Sequence, residues 1–213
     1  MKIIAIGAHL DDIELACGGT LARAVSLKHT VKMLVLSDSS YTNYEGKLIR
    51  KAETALAEGR RAAGLLRVDD LEVLGFPAKD IPYHSEVVEA IDERISTFRP
   101  DLIFCHWPFD THQSHQHSAL SSISAARYYN SILMYEPITP SGRSYIGFRP
   151  QVYVDITPFM PVKLKALRAH RTEFKKYGPM WLGAVKARAQ HRGFEMGTHY
   201  AEAFEVMRLE LQL

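Results

Sequence analysis

Short apolar runs alternate with helix-like segments along the chain, and this alternation constrains the fold more than any other feature. Apolar runs of strand length occupy 2–7, 31–36, 71–74, 101–105 and 132–135, and alternation typical of a strand occupies 151–156 and 203–211. Segments with helical spacing occupy 18–29, 48–66, 87–98, 117–129, 162–175 and 181–192. Strands separated by helices of this length form right-handed βαβ units. We therefore predict an α/β fold with a mostly parallel sheet, and loops over 37–47, 106–117 and the proline-rich 137–150.

The composition excludes several classes of protein. With 213 residues, 46% apolar and 23% charged, the chain is long enough for one core and too apolar to be disordered, which predicts a single domain over 1–213. The net charge of +2 argues against a nucleic-acid-binding domain. No run reaches the about 18 apolar residues of a membrane span, and the first residues do not resemble a signal peptide. We therefore expect a cytoplasmic protein.

Three polar side chains directly follow the first apolar run. His9, Asp11 and Asp12 stand where the strand ends, and open parallel sheets bind ligands beyond the carboxyl ends of their strands. Histidine and aspartate are ligands for a zinc-type ion, and two adjacent carboxylates repel each other unless a cation or a shared proton compensates. The alternative is a solvated turn that caps the next helix. Gly18 and Gly19 do not match the GxGxxG pattern of dinucleotide-binding loops. We predict instead that they let the chain turn tightly into a helix.

A second polar segment, DTHQSH at 110–115, follows the apolar run at 101–105. It should therefore reach the same sheet edge as the first segment. Together, His9, Asp12 and His115 would give three protein ligands and leave a fourth position for water, as in catalytic zinc sites. His112 would lie near the reacting group without binding the metal. The alternative is surface polarity, and His106 and His117 are not predicted to be ligands.

These segments resemble a known family. GAHLDDIELACGGTLA at 7–22 is similar to the AHPDDxxxGxGG signature of the PIG-L/LmbE superfamily of zinc-dependent N-acetylglucosamine deacetylases, and DTHQSH is similar to its DxHxDH segment. Weaker similarity continues in RKAE at 50–53, KALRAH at 165–170 and GFEMGTHYAEAF at 193–204. The resemblance implies a Rossmann-like three-layer sandwich with the metal site at the carboxyl ends of the strands. It also implies that homo-oligomers can form.

The resemblance assigns a role to each site residue. His9, Asp12 and His115 would bind Zn²⁺ or another divalent transition metal. Asp11 would be the general base, and His112 the electrostatic stabiliser or general acid. The departures are Leu10 for the usual proline, Ile13 where many members have glutamate, and Ser114 for the aspartate that supports the preceding histidine. Serine holds an imidazolium less strongly than a carboxylate, so Asp110 is the alternative support.

Other residues are candidates for binding substrate. Arg50 could hold sugar hydroxyls or a phosphate, with a surface arginine as the alternative. Tyr200 lies in a segment similar to one near the family's active site, with a core or surface tyrosine as the alternative. Tyr41 and Tyr44 could form a substrate wall, with an ordinary surface loop as the alternative. Residues 163–192 hold nine basic residues and one acidic residue. This bias favours an anionic substrate, with a solvated helical face as the alternative.

The predicted function is hydrolysis of the N-acetyl group of an N-acetylglucosamine-type sugar or its conjugate, with release of acetate. One alternative is a metal-dependent amidase that acts on another N-acyl group or a thiol-sugar conjugate. Another is a metal-binding member of the family without catalysis, which Ser114 favours. The residues that oppose it are intact; they are His9, Asp11, Asp12, His112 and His115. The partner would be a small molecule rather than a nucleic acid.

Overall fold

The computed structural model describes residues 1–137 and 142–211. In chain order the strands are β1 (Lys2–Gly7), β2 (Thr30–Ser37), β3 (Tyr41–Thr42), β4 (Leu48–Arg50), β5 (Asp70–Phe76), β6 (Leu102–Cys105), β7 (Ile132–Tyr135), β8 (Val152–Asp155) and β9 (Ala201–Arg208). The helices are α1 (Asp12–Ser26), α2 (Ala52–Leu66), α3 (Ser85–Phe98), α4 (Gln113–Ala125), α5 (Met160–Ala169), α6 (Arg171–Tyr177) and α7 (Pro179–Met196). Within the described residues, no helix has the length and apolar character needed to cross a membrane.

Seven of these strands form one sheet in the order β5-β2-β1-β6-β7-β9-β8, and β3 and β4 form a separate hairpin. The five strands from β5 to β7 are parallel. β9 runs antiparallel between β7 and β8. The prediction of an α/β fold with a mostly parallel sheet is therefore confirmed.

Side chains of β1 point alternately to the two faces of the sheet, as the pleat of a strand requires. Ile3 and Ala5 join the core beneath α1, α2 and α5, whereas Ile4 and Ile6 join the core beneath α3 and α4. The sheet is thus covered on both faces, which explains why its central strands β1, β6 and β7 read as continuous apolar runs. The predicted three-layer arrangement is confirmed.

Several predicted boundaries are wrong. The helix predicted over 48–66 is shortened because 48–50 pair with Tyr41 and Thr42 as a hairpin. The loop predicted over 106–117 ends at His112, so α4 begins earlier than expected. The helix predicted over 18–29 begins at Asp12 instead, directly after the charged loop. Part of the loop predicted over 137–150, residues 138–141, lies outside the described residues.

Gly18 and Gly19 lie inside α1 rather than at the turn predicted for them. The helix breaks one residue earlier, at Cys17, whose φ of −136° and ψ of 18° are not helical. The Glu202 carboxylate caps the second segment by accepting the backbone N–H groups of Gly19 and Thr20 at 2.9 and 2.7 Å. A Cβ on Gly19 would lie 2.8 Å from Ile156. Gly19 is therefore required for close packing.

Candidate metal centre and active site

The two polar segments meet at the carboxyl edge of the sheet, because β1 and β6 are neighbouring parallel strands. His9, Asp11 and Asp12 follow β1, and Asp110 and His115 follow β6. All five line one cavity of about 680 Å³, a volume typical of small-molecule sites. The convergence of the two segments is thus as the sequence predicted.

The loop after β1 is fixed by the end of β2. The Ser37 hydroxyl donates to the Ala8 carbonyl at 2.7 Å, and the Leu10 backbone N–H donates to the Ser39 hydroxyl at 2.8 Å. Asp11 has φ of 141° and ψ of −24°, a conformation that residues other than glycine rarely adopt. Such strain costs about 1–3 kcal/mol and is concentrated at functional sites.

Three side chains form a group that can hold a metal ion. The donor atoms of His9, Asp12 and His115 all lie within 4.8 Å of one another. Asp12 Oδ2 is 3.4 Å from His9 Nδ1, and Asp12 Oδ1 is 3.3 Å from His115 Nε2. Two imidazoles and one carboxylate are the donor set of many catalytic zinc sites. A second group, formed by His106, Asp110 and His115, shares one histidine with the first.

Hydrogen bonds orient both histidines of the first group. Asp110 Oδ2 is 3.0 Å from His115 Nδ1, which leaves Nε2 directed toward Asp12. The Ala78 carbonyl is 3.2 Å from His9 Nε2, which leaves Nδ1 directed toward Asp12. Carboxylate and carbonyl partners of this kind fix the tautomer of metal-binding histidines. The Ser114 hydroxyl donates to the same Ala78 carbonyl at 3.0 Å, so Ser114 acts beside His9 rather than on a histidine ring.

The electrostatics of this group favour positive charge between its members. Burial opposes ionisation of Asp12, but His115 and His106 hold the pKa of that carboxyl well below its usual range. Burial likewise opposes protonation of His115, but Asp12 and Asp110 raise the pKa of His115 to about 10. The carboxylates that retain this proton would equally attract a metal cation.

Asp11 and His112 flank the group and have perturbed pKa values. Burial and the negative charge of Asp12 raise the pKa of Asp11 to about 7. Burial and the neighbouring rings of His115 and His9 lower the pKa of His112 to about 4. The His112 ring stacks on His115 with centroids 4.3 Å apart, and Asp110 accepts the His112 backbone N–H at 2.8 Å. Asp110 therefore contacts the ring of His115 and the backbone of His112.

The structure also places His106, which the sequence did not predict to be a ligand, against His115 and Asp12. His106 is buried, stacks on His115 with centroids 4.3 Å apart and lies 3.2 Å from Asp12 Oδ2. Its Nε2 accepts the backbone N–H of Ala8 at 3.0 Å, so this nitrogen is already occupied. The sequence feature that indicates this placement is the position of His106 directly after the last residue of β6.

Arg50 lines the cavity, yet it is only 2% exposed. Its guanidinium lies 3.2 Å from Glu58 and 3.5 Å from Glu173, and it donates to the Leu10 carbonyl at 3.3 Å. Arg50 thus holds the backbone carbonyl that precedes the strained Asp11. Its predicted contact with substrate remains a prediction.

A buried ion pair lies behind the same loop. His170 Nε2 is 3.0 Å from Glu14 Oε1, and both side chains are almost fully buried. Burial opposes protonation of His170, but Glu14 and Asp11 raise its pKa. The ring also lies 3.4 Å from the Arg50 guanidinium. No sequence signal joined these residues, because 156 positions separate Glu14 and His170.

Of the three tyrosines predicted to contact substrate, one lines the cavity and two are not among its described lining residues. Tyr41 lines the cavity, whereas Tyr44 is 97% exposed and is not among the described residues that line it. Tyr200 is likewise absent from those lining residues. Its backbone N–H donates to Thr157 at 3.1 Å and its ring lies against Lys186. This position gives no support to the substrate contact predicted for Tyr200.

Part of the basic segment at 163–192 forms internal ion pairs. Lys163 is buried, and its Nζ lies 2.5 Å from Glu202 and 2.7 Å from the Leu15 carbonyl. Arg192 pairs with Glu136 at 2.5 Å. From this segment, Lys176 is the basic residue that lines the cavity among those described. The anionic substrate remains a prediction.

Fold and site together define the class of protein. It is an α/β protein whose mostly parallel sheet carries a His-Asp-His group at its carboxyl edge. The chain belongs to the PIG-L family, described as GlcNAc-PI de-N-acetylase, whose sequence model matches residues 4–126. The diacetylchitobiose deacetylase of Thermococcus kodakarensis is 28% identical, over 94% of this chain and 81% of that protein. The uncharacterized deacetylase YaiS of Escherichia coli K12 is 30% identical, over 80% of this chain and 90% of that protein.

Solved structures share the fold. The N,N'-diacetylchitobiose deacetylase from Pyrococcus horikoshii matches with a TM-score of 0.82 and 24% identity, over 97% of this chain and 84% of that chain. The 4-carboxy-2-hydroxymuconate hydratase GalB from Pseudomonas putida matches with a TM-score of 0.83 and 15% identity, over 100% and 98%. At such identities the likeness shows the fold alone, and function must be argued from the site.

Proposed function

We propose that this protein is a metal-dependent deacetylase that removes the N-acetyl group from an N-acetylglucosamine-type sugar or its conjugate. The single observation that carries the proposal is the group of His9, Asp12 and His115 with the strained Asp11 directly beside it. Membership of the PIG-L family and the similarity to diacetylchitobiose deacetylase support this substrate class.

His9, Asp12 and His115 would hold the metal ion, Zn²⁺ or another divalent transition metal. When bound there, such an ion would polarise the amide carbonyl and make water more acidic. Asp110 positions His115, and the Ala78 carbonyl positions His9. Nitrogen and oxygen donors do not by themselves select zinc over other divalent metals.

Asp11 carries the proton in the proposed reaction. Its carboxylate accepts a proton from the attacking water, whose oxygen adds to the carbonyl carbon of the acetamide. His112 donates an N–H hydrogen bond to the carbonyl oxygen as negative charge develops there. The C–N bond then breaks as the amine nitrogen takes the proton from Asp11. The products are acetate and the free amino sugar.

Arg50 is proposed to support this step through the backbone. By holding the Leu10 carbonyl, it keeps Asp11 in the conformation that faces the cavity. The Glu58 and Glu173 carboxylates hold Arg50 in turn. Groups that are held in place before reaction contribute to catalysis without reorganising during it.

The test measures metal content and acetate release together. Purified protein is analysed for bound metal and assayed on N,N'-diacetylchitobiose and on GlcNAc, before and after treatment with a chelator and after reloading with Zn²⁺. We expect acetate release that the chelator abolishes and the metal restores. A protein that stays inert on both sugars after loading with several divalent metals contradicts the proposal.

A further inference from the structure

The cavity has a second wall that the proposed reaction does not use. Tyr41, Tyr177 and Trp181 line it and come from three separate elements, β3, the end of α6 and the first turn of α7. These three residues are here called the aromatic wall. Binding cavities that combine aromatic surface with a few polar groups are typical sites for small organic ligands.

A turn between two helices builds the aromatic wall. Gly178 joins α6 to α7 with φ of 69°, a value that glycine adopts without strain. The Trp181 backbone N–H donates to the Gly178 carbonyl at 3.2 Å. As a result the Tyr177 and Trp181 rings lie with centroids 5.9 Å apart and planes tilted by 34°. Tyr41 reaches the same place from the hairpin, since Lys176 lies 5.0 Å from its ring and 4.6 Å from that of Tyr177.

A chain of contacts connects the aromatic wall with the loop of Asp11. Arg50 binds the Leu10 carbonyl, Glu173 lies 3.5 Å from Arg50, and Lys176 lies 3.7 Å from Glu173. Lys176 in turn lies over the rings of Tyr41 and Tyr177. The wall and the reactive groups therefore border one continuous cavity, which can receive two adjoining parts of one substrate.

The charges of the cavity argue against an anionic group at the aromatic wall. The Lys176 ammonium is partly balanced by Glu173, and Arg50 is held by Glu58 and Glu173. An uncharged ring suits this surface better than a phosphate.

We propose that the aromatic wall is a subsite for a second, uncharged sugar ring that is attached to the ring bearing the acetamide. The proposal rests on the proposed function, because the acetamide must sit at Asp11 for the attached ring to reach the wall. The C–H face of a pyranose carries partial positive charge and is attracted by the negative face of an aromatic ring. Tyr41, Tyr177 and Trp181 would thus determine specificity without taking part in the reaction.

The test compares kcat/KM for N,N'-diacetylchitobiose with kcat/KM for GlcNAc. We expect the wild-type protein to prefer the disaccharide. Tyr177→Ala and Trp181→Ala should each lower the ratio of the two kcat/KM values about tenfold, whereas Tyr177→Phe should preserve it. Tyr177 is 41% exposed, so Tyr177→Ala should fold. This variant therefore tests the subsite even if Trp181→Ala is unfolded. Met180→Ala, at an 81% exposed residue of the same turn, is the matched control and should change neither value.

An unchanged ratio in folded Tyr177→Ala overturns the subsite, and so does a wild-type preference for a nucleotide-linked GlcNAc over the disaccharide. If the wild-type protein hydrolyses neither sugar, the proposed function fails and binding tests the subsite separately. N,N'-diacetylchitobiose should then still change the fluorescence of Trp181 in a Trp107→Phe variant. Absence of that change, together with absence of turnover, overturns the subsite as well.

Discussion

The parallel part of the sheet and the C-terminal region contribute to the site in different ways. All groups proposed to bind metal or to react lie on the loops that follow β1 and β6, or in the first turns of α1 and α4. The described residues from β8 to β9 supply none of these groups. They supply buried partners instead, since Glu202 caps α1, Lys163 pairs with Glu202, and His170 pairs with Glu14. The reactive groups thus lie in two short segments of the chain, whereas these buried partners come from the distant C-terminal region.

This difference predicts that variants of the two regions fail in different ways. A change in a reactive loop should abolish activity with little effect on stability. A change in a C-terminal support should reduce stability first. Four substitutions test this separation, beginning with the largest expected effect.

Asp11→Asn should reduce deacetylase activity on the order of 10²- to 10⁴-fold, because the amide cannot accept the proton of the attacking water. Bound metal should remain, since His9, Asp12 and His115 are intact. Acetate release and metal content are measured on the same sample. Asp80→Asn, at an exposed carboxylate, is the control and should retain full activity. Activity close to wild type in Asp11→Asn would remove Asp11 from the mechanism.

Glu202→Ala should destabilise the fold by about 3–5 kcal/mol, because it leaves the Lys163 ammonium buried without its ion-pair partner. It also removes the acceptor of the Gly19 and Thr20 N–H groups. The free energy of unfolding is measured by urea titration. The double variant Lys163→Met with Glu202→Leu should recover part of the loss, since no unpaired charge then remains. A loss below about 1 kcal/mol in the single variant would mean that water reaches this pair.

Gly19→Ala should destabilise the protein by about 1–3 kcal/mol, as expected for an overpacked core. The added Cβ would lie 2.8 Å from three atoms of Ile156, a residue of the C-terminal region. Gly18→Ala is the matched control, because its Cβ would find its nearest neighbours at 3.6 Å, an ordinary contact. Urea titration of both variants measures the difference. Equal stabilities would show that the contact of α1 with Ile156 relaxes easily.

The same comparison explains how much the sequence could predict. The order of strands and helices followed from apolar periodicity, because both faces of the sheet are covered and its central strands β1, β6 and β7 are almost entirely apolar. The meeting of His9 and Asp12 with His115 followed from the rule that parallel strands end at one edge. The resemblance to the family then supplied the roles of Asp11 and His112, which are still predictions.

The supports could not be predicted in this way. His170 and Glu14, or Lys163 and Glu202, share no local pattern, and only the packing of α5 and β9 against α1 brings them together. His106 was not given a role, because a single histidine after a strand has many ordinary explanations. The helix predicted at 48–66 begins at Ala52 instead, because pairing within a hairpin outweighed the local helix propensity of 48–50.

The smallest effect concerns pH and the His170–Glu14 pair. Burial and the positive charge of Arg50 lower the pKa of His170, whereas the carboxylates of Glu14 and Asp11 raise it. The carboxylates outweigh the other two effects, so the folded pKa lies above the unfolded value of about 6.5. The stability that this proton contributes is therefore fully present below about pH 6.5 and is lost as pH rises through the folded pKa. The difference in unfolding free energy between wild type and His170→Gln should be larger at about pH 6 than at about pH 9.

Urea titrations across this pH range measure that difference. His191→Gln is the control, because His191 is exposed and also lies beside a glutamate, at 3.5 Å from Glu195. Its effect should stay within about 0.5 kcal/mol at every pH. If the wild-type advantage over His170→Gln instead grows with pH, His170 is neutral in the folded protein. The C-terminal region would then place a hydrogen bond, and no positive charge, behind the loop of Asp11.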